Sequence, residues 1–157
     1  MEASPEITKE QARAKQIVFR LLKIRNRSEK EIKDRLKLKR ISEDTIEKTL
    51  CYFKEAQSID DRAFAQWWIH ARLAKPLGLK RIQFELKQKG ISDEILNEVI
   101  PEVFNRQSEF PVVEELARKR WQNYKNLDTL TKKRRLSGYL ARRGFSSESI
   151  QQVLRKL

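Results

Sequence analysis

One phrase of eleven residues occurs three times along this chain, and its spacing restricts the fold more than any other feature. The copies read Ile32-x-x-x-Leu36-x-x-x-Arg40-Ile41-Ser42, Ile82-x-x-x-Leu86-x-x-x-Gly90-Ile91-Ser92 and Leu136-x-x-x-Leu140-x-x-x-Gly144-Phe145-Ser146. From Ile41 to Ile91 is 50 residues, and from Ile91 to Phe145 is 54. Apolar residues recur nine positions past each anchor, at Leu50, Ile100 and Leu154. A basic residue stands eleven before each, at Lys30, Lys80 and Arg134. A period near 50 with constant internal spacing is one supersecondary unit used three times. Alone, a unit of that size buries a marginal core, so the three are expected to share interfaces.

Each phrase reads as the end of one helix, a turn and the start of another. Apolar pairs four apart lie on one helical face. Gly90 and Gly144 stand where a helix ends in the left-handed conformation that glycine tolerates. Arg40 holds that place in the first copy, at an expected strain of up to about 1 kcal/mol. Ser42, Ser92 and Ser146 are positioned as N-caps, with acids behind them to complement the helix dipole. Ser28-Glu29-Lys30-Glu31 is a capping box for the helix through Ile32. A longer helix precedes each pair: from about Thr8 to Arg25 with Ile17, Leu21 and Ile24 on one stripe, from near Asp60 with Phe64, Trp67, Trp68 and Ala71, and after Pro111 with Val113, Leu116, Ala117, Trp121 and Tyr124. Pro101 is expected to end or kink the last helix of the second unit. The reading is all-α: three tandem three-helix repeats forming an elongated, curved array. The modules span residues 1–58, 59–108 and 109–157, with boundaries near Ser58–Asp60 and Asn105–Pro111.

Composition supports that class. Four Gly and four Pro in 157 residues disfavour a loop-rich or all-β fold. No apolar run reaches the length of a spanning helix, and Met1 to Glu6 lacks the order of a signal peptide. Cys51 is alone, so no disulfide framework exists, and it reads as a small core or interface residue. A cytoplasmic protein is expected, with no membrane partner. Nothing demands a dimer, so a monomer is expected.

The formal net charge is +13, and it is unevenly spread. Residues 1–60 hold 15 basic and 11 acidic side chains, residues 61–111 hold 8 and 7, and residues 112–157 hold 12 and 4. Between 118 and 143 ten Lys or Arg face a single acid, Asp128. A solvated basic face is the plain reading. Concentration in one module favours a polyanion or an acidic protein surface as partner.

Catalytic chemistry finds little support. The single histidine, His70, sits beside Trp67 and Trp68 on a helix and reads as a packed or surface residue. No Cys/His cluster with metal spacing and no Gly-rich phosphate loop is present, and turns account for the four isolated glycines. Asp60-Asp61 reads as cap and dipole partner. A binding protein without cofactor is expected rather than an enzyme. The last two helices of each module also resemble a helix-turn-helix. The serine-capped helices open acidic, however, and phosphate would repel them; the basic residues lie on the middle helices, which suits backbone contact or an acidic protein groove.

Ile59-Asp60-Asp61-Arg62-Ala63-Phe64-Ala65-x-x-Trp68, then Arg72, then Gly78-x-Lys80-Arg81-Ile82-x-x-Glu85-Leu86-x-x-Lys89-Gly90-Ile91, closely resembles the central signature of the RecX family. Arg25-x-Arg27-Ser28-x-x-Glu31-Ile32 with Leu36 is similar to its amino-terminal motif, and Tyr139-Leu140-x-Arg142-Arg143-Gly144-Phe145-Ser146 to its carboxy-terminal one. The resemblance runs in order over about residues 12–155 and departs at Arg40, where the family pattern has glycine, and in a short amino-terminal arm. It implies a regulator of DNA repair, recombination and the SOS response that lies in the groove of the RecA filament on DNA. Such a protein blocks filament growth and restrains ATP hydrolysis, strand exchange and co-protease activity. On that resemblance, Asp60, Asp61, Phe64, Trp68 and Arg72 are expected to build and orient module two. The surface for RecA, and for single- or double-stranded DNA, is expected at Arg25, Arg27, Lys30, Trp67, Arg72, Lys80, Arg81, Lys89, Lys132, Lys133, Arg134, Arg135, Arg142 and Arg143. Trp67, on a different face from Phe64 and Trp68, is the expected exposed aromatic contact. The alternative is a protein whose target is nucleic acid itself.

Overall fold

A computed structural model of the chain describes residues 5–104 and 109–157. Among the described residues there are nine helices and no strands: α1 (Pro5–Ile24), α2 (Glu29–Leu38), α3 (Glu43–Glu55), α4 (Asp61–Leu73), α5 (Leu79–Gln88), α6 (Asp93–Val103), α7 (Glu109–Gln122), α8 (Thr129–Arg142) and α9 (Ser147–Lys156). They form three three-helix units, each around its own core. The expected boundary at Asn105–Pro111 and the reading of Met1 to Glu6 lie in part outside the described residues. No helix among them is long and apolar enough to cross a membrane.

The three phrases make the same turn. Ile41 N–H donates to Leu36 O, Ile91 N–H to Leu86 O and Phe145 N–H to Leu140 O, at 3.2, 3.1 and 3.3 Å. Arg40, Gly90 and Gly144, with φ of 57°, 84° and 86°, each donate to the carbonyl three residues back. This is the Schellman closure, which satisfies carbonyls the helix end leaves free. The anchor that follows drops into the core: Ile41, Ile91 and Phe145 are all buried. So are the pairs Ile32 with Leu36, Ile82 with Leu86 and Leu136 with Leu140. Small residues on the first helices, Ala14 and Val18, Ala65, and Val113 and Ala117, let the three helices close on them. The longer second period has a simple source. Helix α8 has 14 residues where α2 and α5 have 10, one extra turn at its start.

Several expectations need correction. Ile24 is 74% exposed, and the buried stripe of α1 is Ala14 and Val18, with Ile17 packed at its edge. Cys51 is exposed, its thiol directed to Glu55, because the core face of α3 runs through Thr49, Leu50 and Phe53. Ser92 and Ser146 cap as expected, but the Ser42 hydroxyl makes no cap bond and donates to Glu10 Oε2 at 2.6 Å. Pro111 lies inside the first turn of α7, where its missing N–H leaves no helix bond unmade. Pro101 is carried inside α6, which ends two residues later at Val103. His70 is exposed.

Candidate binding surface

The modules meet through their middle helices, end to end, and the contact is repeated. The start of α2 lies against the turn that closes α5, and the start of α5 lies against the turn that closes α8. Ser28 Oγ donates to Lys89 O at 2.7 Å, and Ser28 is fully buried. At the equivalent place, Gly78 N–H donates to Arg143 O at 2.9 Å and Lys80 N–H to Gly144 O at 3.0 Å. Carbonyls at one helix end thus face the positive start of the next, an arrangement both dipoles favour. Turns explain Gly90 and Gly144, but not the other two glycines. A Cβ on Gly78 would stand 2.2 Å from the backbone of Gly144, so residue 78 is glycine because another chain segment occupies that space. Gly138 lies inside α8.

Acids bind the first junction together. Asp60 caps its own helix, accepting from Arg62 N–H and Ala63 N–H. Its neighbour Asp61 reaches into module one and accepts from Glu29 N–H at 2.8 Å, capping α2 across the boundary. Burial pushes the Asp61 carboxyl up, and the Glu29 N–H opposes that in part. Glu31 completes the capping box with Ser28 and also accepts from the Arg25 guanidinium (2.9 and 3.0 Å) and from Lys89 of module two. Burial would raise its pKa; the hydrogen bonds from Arg25 and Lys89 outweigh that and hold it at about 2. In module two, Glu85 accepts from Trp68 Nε1 at 3.2 Å, from Arg72 at 2.6 Å and from Arg81 at 3.3 Å. The Trp68 ring lies beneath two cations, Lys89 at 4.2 Å and Arg72 at 4.7 Å.

The fourteen residues expected as contacts therefore divide. Arg25, Lys30, Arg72, Arg81 and Lys89 are engaged with Glu31, Asp34 or Glu85; Lys89 ties module two to module one, and the other four pairs lie within a module. The Arg27 Nε is buried without a hydrogen-bond partner, and burial, then the Arg25 charge, lower its pKa. Trp67 is half-buried against the module-two core, with the Arg25 guanidinium 6.0 Å from its ring, so it is not the free aromatic contact expected. Trp68, expected in the core beside Phe64, is half-buried and serves as the platform for Arg72 and Lys89. Phe64 is 1% exposed and is core. The exposed aromatic of this region is Phe84, 54% exposed beside Arg81 in a groove of about 530 Å³ along the junction. Its period-50 counterpart is Asp34, so the repeat carries no sign of it.

The remaining cations have a different setting. The ion pairs of module three among the described residues are Lys119 with Glu115 and Lys156 with Glu114. Lys133, Arg134, Arg135 and Arg142 of α8 belong to none. Lys132 lies over Trp121 at 5.4 Å, and Arg143 lies over Tyr139 at 5.3 Å and donates to Pro76 O. Lys80 is exposed at the second junction. Glu31, Asp34 and Glu85 decide which of these cations are tied, and following positive charge alone along the sequence misses them.

Comparison with known proteins agrees with this architecture. Family models of the first, second and third three-helix domains of RecX match residues 14–53, 60–100 and 108–154. A regulatory protein RecX of Amycolatopsis mediterranei is 34% identical over 145 residues, covering 92% of this chain and 82% of that protein. One from Chlorobium phaeobacteroides is 35% identical over 139 residues, covering 88% and 89%. The crystal structure of RecX from Lactobacillus salivarius superposes with a TM-score of 0.83 at 22% identity, over 96% of this chain and 97% of that one. At that identity the likeness shows the fold.

Proposed function

The chain belongs to the RecX family of regulatory proteins, and from that premise we propose that it binds the RecA recombinase filament on DNA and restrains it. In this reading the chain works in the cytoplasm as a monomer without cofactor, its modules at 1–58, 59–108 and 109–157. It slows filament growth, ATP hydrolysis, strand exchange and co-protease activity, and so acts on DNA repair, recombination and the SOS response. The observation that carries the reading is the division of the cations. Arg25, Arg72, Arg81 and Lys89, around the first junction, are neutralised internally by Glu31 and Glu85, whereas Lys133, Arg134, Arg135 and Arg142 on α8 are left for a partner. Three modules joined covalently would each add a modest contact, and their linkage raises the effective concentration of the next.

Direct binding to nucleic acid is the second reading, favoured by the same cations. The acidic starts of α3, α6 and α9 argue against inserting those helices into a DNA groove. The test is to add the purified chain to RecA already assembled on single-stranded DNA and to follow ATP hydrolysis. A fall in hydrolysis at stoichiometric amounts is expected. Unchanged hydrolysis refutes the RecA reading. Affinity for bare DNA that falls steeply with salt would then favour the second.

A further inference from the structure

On module three, the end of α7, the turn after it and α8 border an open hollow of about 300 Å³ lined by Arg120, Tyr124, Arg134, Arg135, Gly138 and Arg142. Four of these six residues are arginines and none is an acid. Guanidinium groups gathered without a carboxylate repel one another, so the arrangement contributes nothing to the stability of the fold. An anion in the hollow reverses the sign. We propose that this hollow is a binding site for phosphate groups, of a free polyphosphate or of a nucleic-acid backbone.

Two further observations support it. The first is that the arginines are arranged, not scattered. Arg134, Gly138 and Arg142 are spaced by four and share one stripe of α8. Arg120 and Tyr124, also four apart, close the other side from the α7 end. Arg120 Nε donates to the Tyr124 hydroxyl at 3.2 Å, and its guanidinium lies 4.9 Å from the Tyr139 ring. It is held in place before any ligand arrives. A planar guanidinium presents paired N–H groups that match two phosphate oxygens, which a lysine ammonium cannot do.

The second is Gly138 itself. It sits inside a helix, where glycine costs about 1 kcal/mol relative to alanine. No positive φ requires it. An added Cβ would meet only the tip of the Arg142 side chain, at 3.4 Å. Contrast Gly78, where backbone fills the space. The matching positions of α2 and α5 carry Asp34 and Phe84. Neither backbone geometry nor packing calls for glycine at 138, and its bare surface leaves the floor of the hollow free for a ligand.

The experiment is calorimetric titration of the full chain at fixed salt with two probes, inorganic pyrophosphate and an eight-nucleotide oligothymidylate. Gly138→Leu fills the hollow while keeping every arginine and the net charge; Gly138→Ala controls for helix stability, and circular dichroism checks folding of both. The expected result is that wild type binds and Gly138→Leu binds at least tenfold more weakly. Weakened pyrophosphate binding assigns the site to free phosphates as well; an effect confined to the oligonucleotide assigns it to a polynucleotide backbone. Equal binding by wild type and a folded Gly138→Leu chain, or no binding of either probe by wild type, overturns the site. The site does not depend on the RecA reading. A Gly138→Leu chain that has lost phosphate binding and still slows RecA hydrolysis would leave that function standing.

Discussion

A Cβ on Gly144 would stand 2.3 Å from the backbone nitrogen of Arg81 and 2.4 Å from its Cβ, so the turn closing α8 lies against α5 only because residue 144 has no side chain. At the other junction, a Cβ on Gly90 would meet the Cβ and Cδ of Lys30 at 2.7 and 2.8 Å. In module one the same turn position is Arg40, exposed, with nothing among the described residues hydrogen-bonded to its carbonyl or to that of Lys39. The glycines thus answer two demands, a left-handed backbone and a neighbouring module, and Arg40 meets only the first.

That difference ranks three substitutions. Gly90→Ala should lose about 1–2 kcal/mol from the left-handed backbone alone, and more because the Lys30 Cβ, 2.7 Å from the added carbon, is fixed to the α2 backbone and cannot swing aside. Gly144→Ala should lose about 2–4 kcal/mol, because backbone must move and the junction must part. Arg40→Gly should gain up to about 1 kcal/mol. Urea unfolding at pH 7 reads all three. A loss at 144 of no more than about 1–2 kcal/mol, the left-handed backbone alone, would mean that close approach at the second junction has no energetic weight.

Glu31 gives the first junction a pH dependence of known sign. Its pKa is about 2 in the fold against 4.5 in the unfolded chain, so its contribution is complete above about pH 4.5 and is lost as pH falls toward 2. With solvent screening of this half-buried group, the difference corresponds to on the order of 2 kcal/mol at pH 7. Glu31→Gln keeps the capping geometry and removes the charge. Wild type should therefore be the more stable at pH 7, and the two stability curves should converge as pH approaches 2. A constant gap across that range would show that Arg25 and Lys89 do not depend on the Glu31 charge.

Asp61 runs the other way. Its pKa is raised, chiefly by burial, so the ionised carboxylate is a burden that grows as pH rises through its unfolded value. Asp61→Asn preserves an oxygen for Glu29 N–H and should be neutral or slightly stabilising at pH 7. Asp61→Ala removes the cap and should cost about 1 kcal/mol or more. Thermal melts of the two variants decide it: equal losses would make the charge, not the hydrogen bond, the source of the contact.

The modules, their turns and most caps were legible because each is a local pattern, written within a dozen residues and repeated three times. Helix phase was less secure. Each position turns a helix by about 100°, so favouring Ile24 over Ala14 and Val18 follows from ranking residues by size. On α1 the small Ala14 and Val18 are fully buried while the larger Ile24 is exposed, so size does not mark the buried face. On the surface, the sign of a charge cannot by itself separate Lys89 from Arg134. What separates them is Glu31, 58 residues before Lys89 in the chain and bonded to it only once the modules stack. The Asp61 cap on Glu29 spans 32 residues in the same way. Junction chemistry is non-local, and a repeat states that junctions exist without stating which side chains make them.

The division of the cations predicts opposite responses to neutralisation. Arg72 donates to Glu85 and covers Trp68, so Arg72→Gln should lower stability by on the order of 1–2 kcal/mol and affect binding only through the fold. Arg134, Arg135 and Arg142 repel one another, so replacing them with Gln should leave the melting temperature unchanged or raise it. Binding to a polyanion should weaken together with its salt dependence, the logarithmic slope falling by about 0.7–0.9 for every phosphate no longer neutralised. On the proposed RecA reading, reversal of Arg134, Arg135, Arg142 and Arg143 to Glu should weaken association with RecA filaments while helicity is retained. Far-ultraviolet circular dichroism and filament co-sedimentation, run on the same preparations, check both halves. A four-residue reversal that still co-sediments would place the contact surface elsewhere, and the exposed Phe84 beside Arg81 at the first junction would be the next position to substitute.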